Sequence, residues 1–98
     1  MTDFTFTQSG GKYVSQAFQP EGPFQVDLTF GSDANTKKND IEVLSSNDSS
    51  SEFAVAAVMK ANFLTRLNFP VMQVFADSPV YYKITSKIEP TSGNYVTA

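Results

Sequence analysis

The residue types that serve most catalytic reactions are scarce in this chain. It contains no His and no Cys, which excludes most nucleophile–base arrangements and most zinc or iron sites. Two carboxylates, Asp27 and Glu42, are formal candidates for the acid–base pair of a glycoside hydrolase. Both lie at polar positions that alternate with apolar residues, so we expect them on the solvated faces of strands. The chain is therefore predicted not to be an enzyme.

One polar segment offers oxygen ligands for a hard cation such as calcium. Residues 33–40, with the sequence DANTKKND, carry several Asp and Asn side chains. A calcium site requires several carboxylates, and the two Lys of this segment repel a divalent cation. We therefore expect a polar turn here, with no metal and no other cofactor.

Three tyrosines are candidates for a platform on which a sugar ring could stack. Tyr13, Tyr81 and Tyr95 each combine an apolar ring with a polar tip. The alternative for these side chains is ordinary packing or a contact between protein molecules.

The strand around which the rest of the chain is organised spans residues 24–30. Its sequence, FQVDLTF, alternates apolar with polar residues, which is the period of a strand with one buried face. Pro23 and Gly31 bound this segment on either side.

Similar short segments recur about every ten residues, separated by turn signals. This spacing predicts an all-β single domain over residues 1–98, a small antiparallel β-sandwich or jelly roll of about eight short strands. We expect a turn at residues 90–94. The end of the chain, residues 90–98, is expected to be a flexible tail or an edge strand. The predicted strands span residues 4–7, 13–18, 24–30, 41–44, 53–61, 63–69, 71–76 and 80–85.

Residues 53–64 fit either a strand or a helix. Their Ala, Met and Lys residues favour a helix, whereas Phe53, Val55, Ala57 and Met59 alternate as in a strand. Periodicity does not decide between the two for a run that is apolar on both faces. A strand is favoured because the flanking segments are strands.

Two segments carry apolar residues on both faces, although a thin sandwich can bury only one face of each strand. They are residues 53–63 and 69–75. We expect the surplus apolar side chains to form an interface between protein molecules. The expected contributors are Phe53, Val55, Phe63, Phe69, Val71 and Phe75.

Charge and hydropathy exclude two classes of partner. The formal net charge is −3 and the seven Lys and Arg are scattered, so we expect no nucleic-acid binding. No apolar run is long enough to cross a bilayer, and the acidic start lacks the apolar region of a signal peptide. We expect no membrane partner.

Two pieces of the chain resemble galactose-binding-like jelly rolls. In residues 41–53 a strand ends in a Ser- and Asp-rich turn and an aromatic residue begins the next strand, and residues 80–84 are similar to a late strand of that fold. Ser49 stands where those domains have a turn Gly, so the resemblance assigns sugar binding to no residue.

The whole chain resembles the small all-β proteins of tailed bacteriophage virions in its size, its lack of Cys, its Phe and Thr content and its strand rhythm. These are capsid auxiliary or decoration proteins, head-fibre modules and tail-tube-like subunits. The resemblance implies a structural protein made in the host cytoplasm and located in the virion. It implies self-association as a homodimer or homotrimer and docking on a capsid or tail protein. The alternative is a carbohydrate-binding β-sandwich module with a Tyr-lined groove.

Overall fold

The computed structural model describes residues 1–50, 52–72 and 80–97. These residues form two antiparallel sheets packed as a sandwich, with strand orders β1-β9-β4-β7 and β2-β3-β8-β5-β6, which confirms the predicted all-β class. Within the described ranges, no helix is long and apolar enough to span a membrane. The elements are β1 (Thr2–Asp3), β2 (Phe6–Ser9), β3 (Lys12–Ser15), β4 (Phe24–Phe30), a 3₁₀ helix (Ser32–Thr36), β5 (Asp40–Ser46), β6 (Ala54–Lys60), β7 (Arg66–Val71), β8 (Tyr81–Ser86) and β9 (Pro90–Thr97).

Strand β4 has the bounds that the alternation predicts. Its apolar residues are buried and its polar residues are half-buried in strict alternation, and Val26 and Leu28 are 0% exposed. Because β4 is paired on both sides, with β9 and with β7, its inner face contributes to the centre of the core.

An aromatic cluster fills one end of the core, with Phe18 at its centre. The Phe18 ring lies 4.5 Å from that of Tyr95, 5.1 Å from Phe4, 5.5 Å from Phe24 and 6.0 Å from Tyr82, measured between centroids. Phe24 meets the Phe18 ring edge-on and Tyr95 stacks on it, and stacked and edge-on arrangements are those that aromatic quadrupoles favour.

The strand predicted over residues 13–18 ends early, at Ser15. The Ser15 hydroxyl accepts the Ile84 N–H at 2.8 Å and donates to the Gln16 carbonyl at 3.0 Å. A side-chain hydrogen bond thus replaces one backbone hydrogen bond between β3 and β8. Phe18 then restores pairing through two hydrogen bonds with Tyr82, at 2.9 and 2.8 Å. The backbone polar groups of this stretch are thus satisfied although the strand is interrupted.

The first predicted strand, residues 4–7, is divided between the two sheets. β1 pairs with β9 in one sheet, whereas β2 pairs with β3 in the other. Phe4 lies between them, is buried, and donates its N–H to the Gly93 carbonyl at 2.9 Å. Because this short segment passes from one sheet to the other, it closes one side of the sandwich.

Instead of a turn at 90–94 and a tail or edge strand at 90–98, the structure has β9, an interior strand between β1 and β4. Pro90 is tolerated because it is the first residue of the strand. Gly93 faces the core, where a Cβ would lie 2.8 Å from Leu28 Cδ2. This Gly therefore serves close packing rather than a turn.

The strand favoured for residues 53–64 is confirmed over 54–60 as β6, the edge of the five-stranded sheet. β7 is the edge of the other sheet, and this position explains why it contains Pro70. The two edge strands are joined by a short turn over residues 61–65.

Candidate functional site

The two carboxylates considered for acid–base chemistry lie apart, on the outer faces of opposite sheets. Asp27 accepts two hydrogen bonds from Arg66, at 3.1 and 2.7 Å. Glu42 accepts from Lys12 at 2.7 Å and from Thr85 at 3.1 Å. Each carboxylate lies between buried residues of its strand, so the two form no catalytic pair.

The two carboxylates of residues 33–40 are paired with lysines. Asp33 pairs with Lys37 at 2.9 Å, and Asp40 pairs with Lys60 and Lys87 at 3.1 Å each. The Asn39 side chain is buried and bonds to Ser86 inside the protein. In the parts of the chain that the structure describes, no three His, Cys, Asp or Glu side chains lie together as a metal site would need.

The three tyrosines do not share a face. Tyr95 packs among the core aromatics. Tyr13 lines a polar cleft of about 660 Å³ beside the β8–β9 turn, and Tyr81 lies at the opposite end of its sheet, where it pairs with Ser46. Their positions give no common stacking surface for a sugar.

Exposed apolar side chains concentrate along β6. Val55 and Val58 are each 53% exposed, and every residue of the strand except Met59 is exposed to solvent. Small side chains, chiefly Ala, leave an opening between this edge strand and β7 of the other sheet. The strand is therefore apolar but not covered by the fold.

The opening between the two edge strands is an apolar groove of about 270 Å³. Ala56, Ala57 and Met59 line it from β6, while Val71 and Met72 lie on the side of β7. Met72 is largely exposed. Val43, Pro70 and Tyr82 complete the lining.

The turn between β6 and β7 exposes a further apolar pair, Phe63 and Leu64. Phe63 has a φ of +64°, a left-handed conformation that costs a non-Gly residue about 1–2 kcal/mol. Its N–H donates to the Lys37 carbonyl at 2.8 Å, and Asn62 accepts the Asn39 N–H at 2.9 Å. These bonds hold the turn in a conformation that its aromatic residue disfavours.

The residues expected at an interface differ in their burial and in their contacts. Val55 and Phe63 are exposed, and Val71 borders the groove. Phe53 lies under Lys83, with Nζ 4.5 Å from the ring centroid. Phe69 is 6% exposed and belongs to the core, and Phe75 lies outside the described residues.

Val58, Leu64 and Met72 are exposed apolar residues that sequence reasoning did not single out. The first lies in the same two-faced run as Val55, so its exposure follows once β6 is known to be an edge. Leu64 follows from the position of the β6–β7 turn, which the sequence pattern does not specify, and Met72 lies one residue beyond the end of β7.

Basic residues gather at one end of the sandwich, which we call the turn end because it carries the β6–β7 turn. Six of the seven Lys and Arg in the chain lie there, together with five carboxylates that pair with them or lie nearby. The basic residues are Lys12, Lys37, Lys38, Lys60, Arg66 and Lys87. The opposite end, called the groove end, carries Glu21, Asp48 and Glu52 in its loops.

Acid is expected to destabilise the fold through these ion pairs. Hydrogen bonds from Arg66, Lys60 and Lys12 hold the pKa values of Asp27, Asp40 and Glu42 below their ordinary values. A carboxylate whose pKa is lower in the folded state stabilises it above the unfolded pKa, and that contribution is lost as the pH falls through the folded value. Because the pairs are at the surface, we expect the Tm to fall by a few degrees below about pH 4.

Thermal unfolding followed by circular dichroism over a pH series measures this effect. The double variant Asp27→Asn/Glu42→Gln should show a smaller change of Tm over the same range, since two of the titrating groups are absent. A Tm that rises as the pH falls below 4 would contradict the assignment.

The described residues thus present an apolar edge, an apolar groove and an exposed aromatic turn, and ion-paired carboxylates lie beside that turn. Large exposed apolar patches are frequent at contact surfaces between proteins. Comparisons with models of protein families, with curated proteins and with solved structures find no match to this chain in any of the three.

Proposed function

We propose that the chain is a non-enzymatic structural protein that associates with itself and docks on the capsid or tail of a bacteriophage particle. The observation that supports self-association is the apolar surface along β6, where Val55 and Val58 are half exposed. Apolar surface that continues from an edge strand into a groove and a turn is costly to leave in water. A protein partner would remove that cost.

The virion setting is supported by the small size, the absence of Cys and the all-β fold. A shell or tail protein works by repeated contacts and requires no catalytic group. A protein of 98 residues has a thin core, and association is a common way to stabilise so small a domain.

Light scattering during gel filtration, at increasing protein concentration, tests self-association. We expect a mass two or more times that of the chain, and a monomer at every concentration would contradict the proposal. Mass spectrometry of purified phage particles tests the second half. Absence of the chain from particles whose genome encodes it would refute the virion role while leaving self-association intact.

The variant Val55→Lys is expected to weaken self-association by about tenfold or more, because the contact would bury an ammonium group. Val96→Lys is the matched control, since Val96 is also half exposed but lies on β9 in the other sheet. The masses of both variants are compared with that of the parent chain at equal concentration. Unchanged assembly by Val55→Lys would exclude β6 from the interface.

A further inference from the structure

We infer that copies of this chain join head to tail, with the Phe63–Leu64 turn of one copy seated in the apolar groove of the next. This inference rests on the proposed self-association and names the two surfaces that meet. Three independent observations support it: a strained and exposed aromatic residue, a groove of suitable size, and complementary charge at the two ends of the molecule.

Phe63 has the properties expected of a residue that contacts another molecule. It is 53% exposed in a left-handed backbone conformation, where Gly or Asn would be accommodated at lower energy. Strained residues persist where the surroundings impose them, and they cluster at functional sites. A turn that needed only to connect β6 with β7 would have no use for an exposed aromatic ring.

The groove has the size and polarity to receive that ring. An apolar cavity of about 150 Å³ is sufficient to bind benzene, and the groove measures about 270 Å³. Its β6 wall is made of Ala56 and Ala57, which leave space, and its other wall includes the flexible Met72. Flexible Met side chains adapt to an incoming apolar group.

Within one copy, the turn lies far from the Met72 side of the groove. Phe63 precedes β7 and Met72 follows it, so the six residues of the strand separate them by about 20 Å. The turn that enters the groove is therefore taken to come from a second copy.

Charge favours the same orientation. The turn end carries six basic residues against five carboxylates and is therefore weakly positive, whereas the loops of the groove end carry Glu21, Asp48 and Glu52. Head-to-tail contact places the weakly positive turn end against the acidic loops of the groove end. Such complementary potentials guide association and fix its orientation.

Because the turn and the groove are different patches, the contact is heterologous. Each copy retains one free turn or one free groove until the assembly closes, so the products are rings or open filaments. A trimeric ring is the smallest closed form beyond a dimer.

Two variants that each remove one surface test this arrangement. Phe63→Asn removes the ring but suits the left-handed backbone, and Ala57→Glu places a carboxylate in the groove. Each alone is expected to weaken assembly by at least about thirtyfold, with a Tm within about 5 °C of the parent. Val96→Asn, which alters a distant exposed apolar residue, should assemble as the parent does.

The decisive measurement is the mass of an equimolar mixture of Phe63→Asn and Ala57→Glu. The intact groove of the first can accept the intact turn of the second, so we expect a complex of two chains and no larger species. The complex also shows that both variants are folded. A mixture that remains monomeric, or a Phe63→Asn protein that assembles normally, would overturn the head-to-tail contact alone. A monomeric parent chain would overturn this contact together with the proposed self-association.

Discussion

Replacing Phe18 with Ala is expected to lower the free energy of unfolding by about 4 kcal/mol. The ring is 6% exposed and meets four other aromatic rings, at centroid distances from 4.5 to 6.0 Å. Truncation would leave a cavity between the two sheets as well as removing the transfer free energy of the ring. The backbone pairing of Phe18 with Tyr82 would lose the side chain that anchors it.

Urea unfolding followed by circular dichroism measures this loss. A domain of this size has a total stability of about 5–15 kcal/mol, so Phe18→Ala is expected to be partly unfolded if the parent lies at the low end. Phe18→Leu keeps most of the volume and should cost about 1.5 kcal/mol. Val96→Ala, at an exposed site, should change stability by less than about 0.5 kcal/mol. A loss below about 1 kcal/mol for Phe18→Ala would contradict the central position of this ring.

The sequence predicts β4 correctly because the physical cause of the pattern is local. Alternate residues of a strand face opposite sides, and β4 has one side in the core and the other toward solvent over all seven residues. Pro23 and Gly31 flank it without interrupting the pattern. Where burial follows the period of the chain, one sequence suffices to give both the element and its bounds.

The errors occur where tertiary contacts determine the meaning of a residue. Glycine is typical of turns, yet at Gly93 the absence of a Cβ is what allows the Leu28 side chain to pack closely. Pro70 suggests a break, but an edge strand has no partner that requires its missing N–H. Ser15 ends a strand by bonding to Ile84. None of these roles is visible until the strand order is known.

The expected interface shows the same division. Two-faced apolar runs predict surplus apolar surface, and Val55 and Phe63 are exposed. The pattern does not say which members of a run face inward, and Phe69 is a core residue because β7 turns it toward the other sheet. The left-handed conformation of Phe63 is not marked by Gly or Asn, so no sequence signal reveals it.

The edge of β6 is poorly suited to extending the sheet with another strand. Its register with β5 shifts between Val43 and Leu44, which leaves Ala56 as an extra residue opposite them. A bulge and a terminal Lys, here Lys60, are devices that discourage edge-to-edge pairing. The proposed association at this edge would therefore use side chains in the groove rather than a continuous backbone ladder.

Asn39→Ala is expected to lower the free energy of unfolding by about 3 kcal/mol, because it removes a buried side chain with several hydrogen bonds and leaves the Lys87 N–H without its partner. Asn39 is 1% exposed. Its side-chain carbonyl accepts the Lys87 N–H at 2.9 Å, and its amide donates to the Ser86 hydroxyl at 3.1 Å. The side chain thereby fixes the end of β8 against the start of β5.

The backbone of Asn39 connects the same site to the β6–β7 turn, since its carbonyl accepts the Ala61 N–H at 2.9 Å. Asn35→Ala is the matched control, because that Asn is exposed on the 3₁₀ helix and should change stability by less than about 0.5 kcal/mol. Urea unfolding of both variants, with hydrogen exchange at the Lys87 amide, separates loss of this network from a general loss of packing. Equal stability losses at the two positions, or an unchanged exchange rate at Lys87, would show that Asn39 does not hold the turn end together.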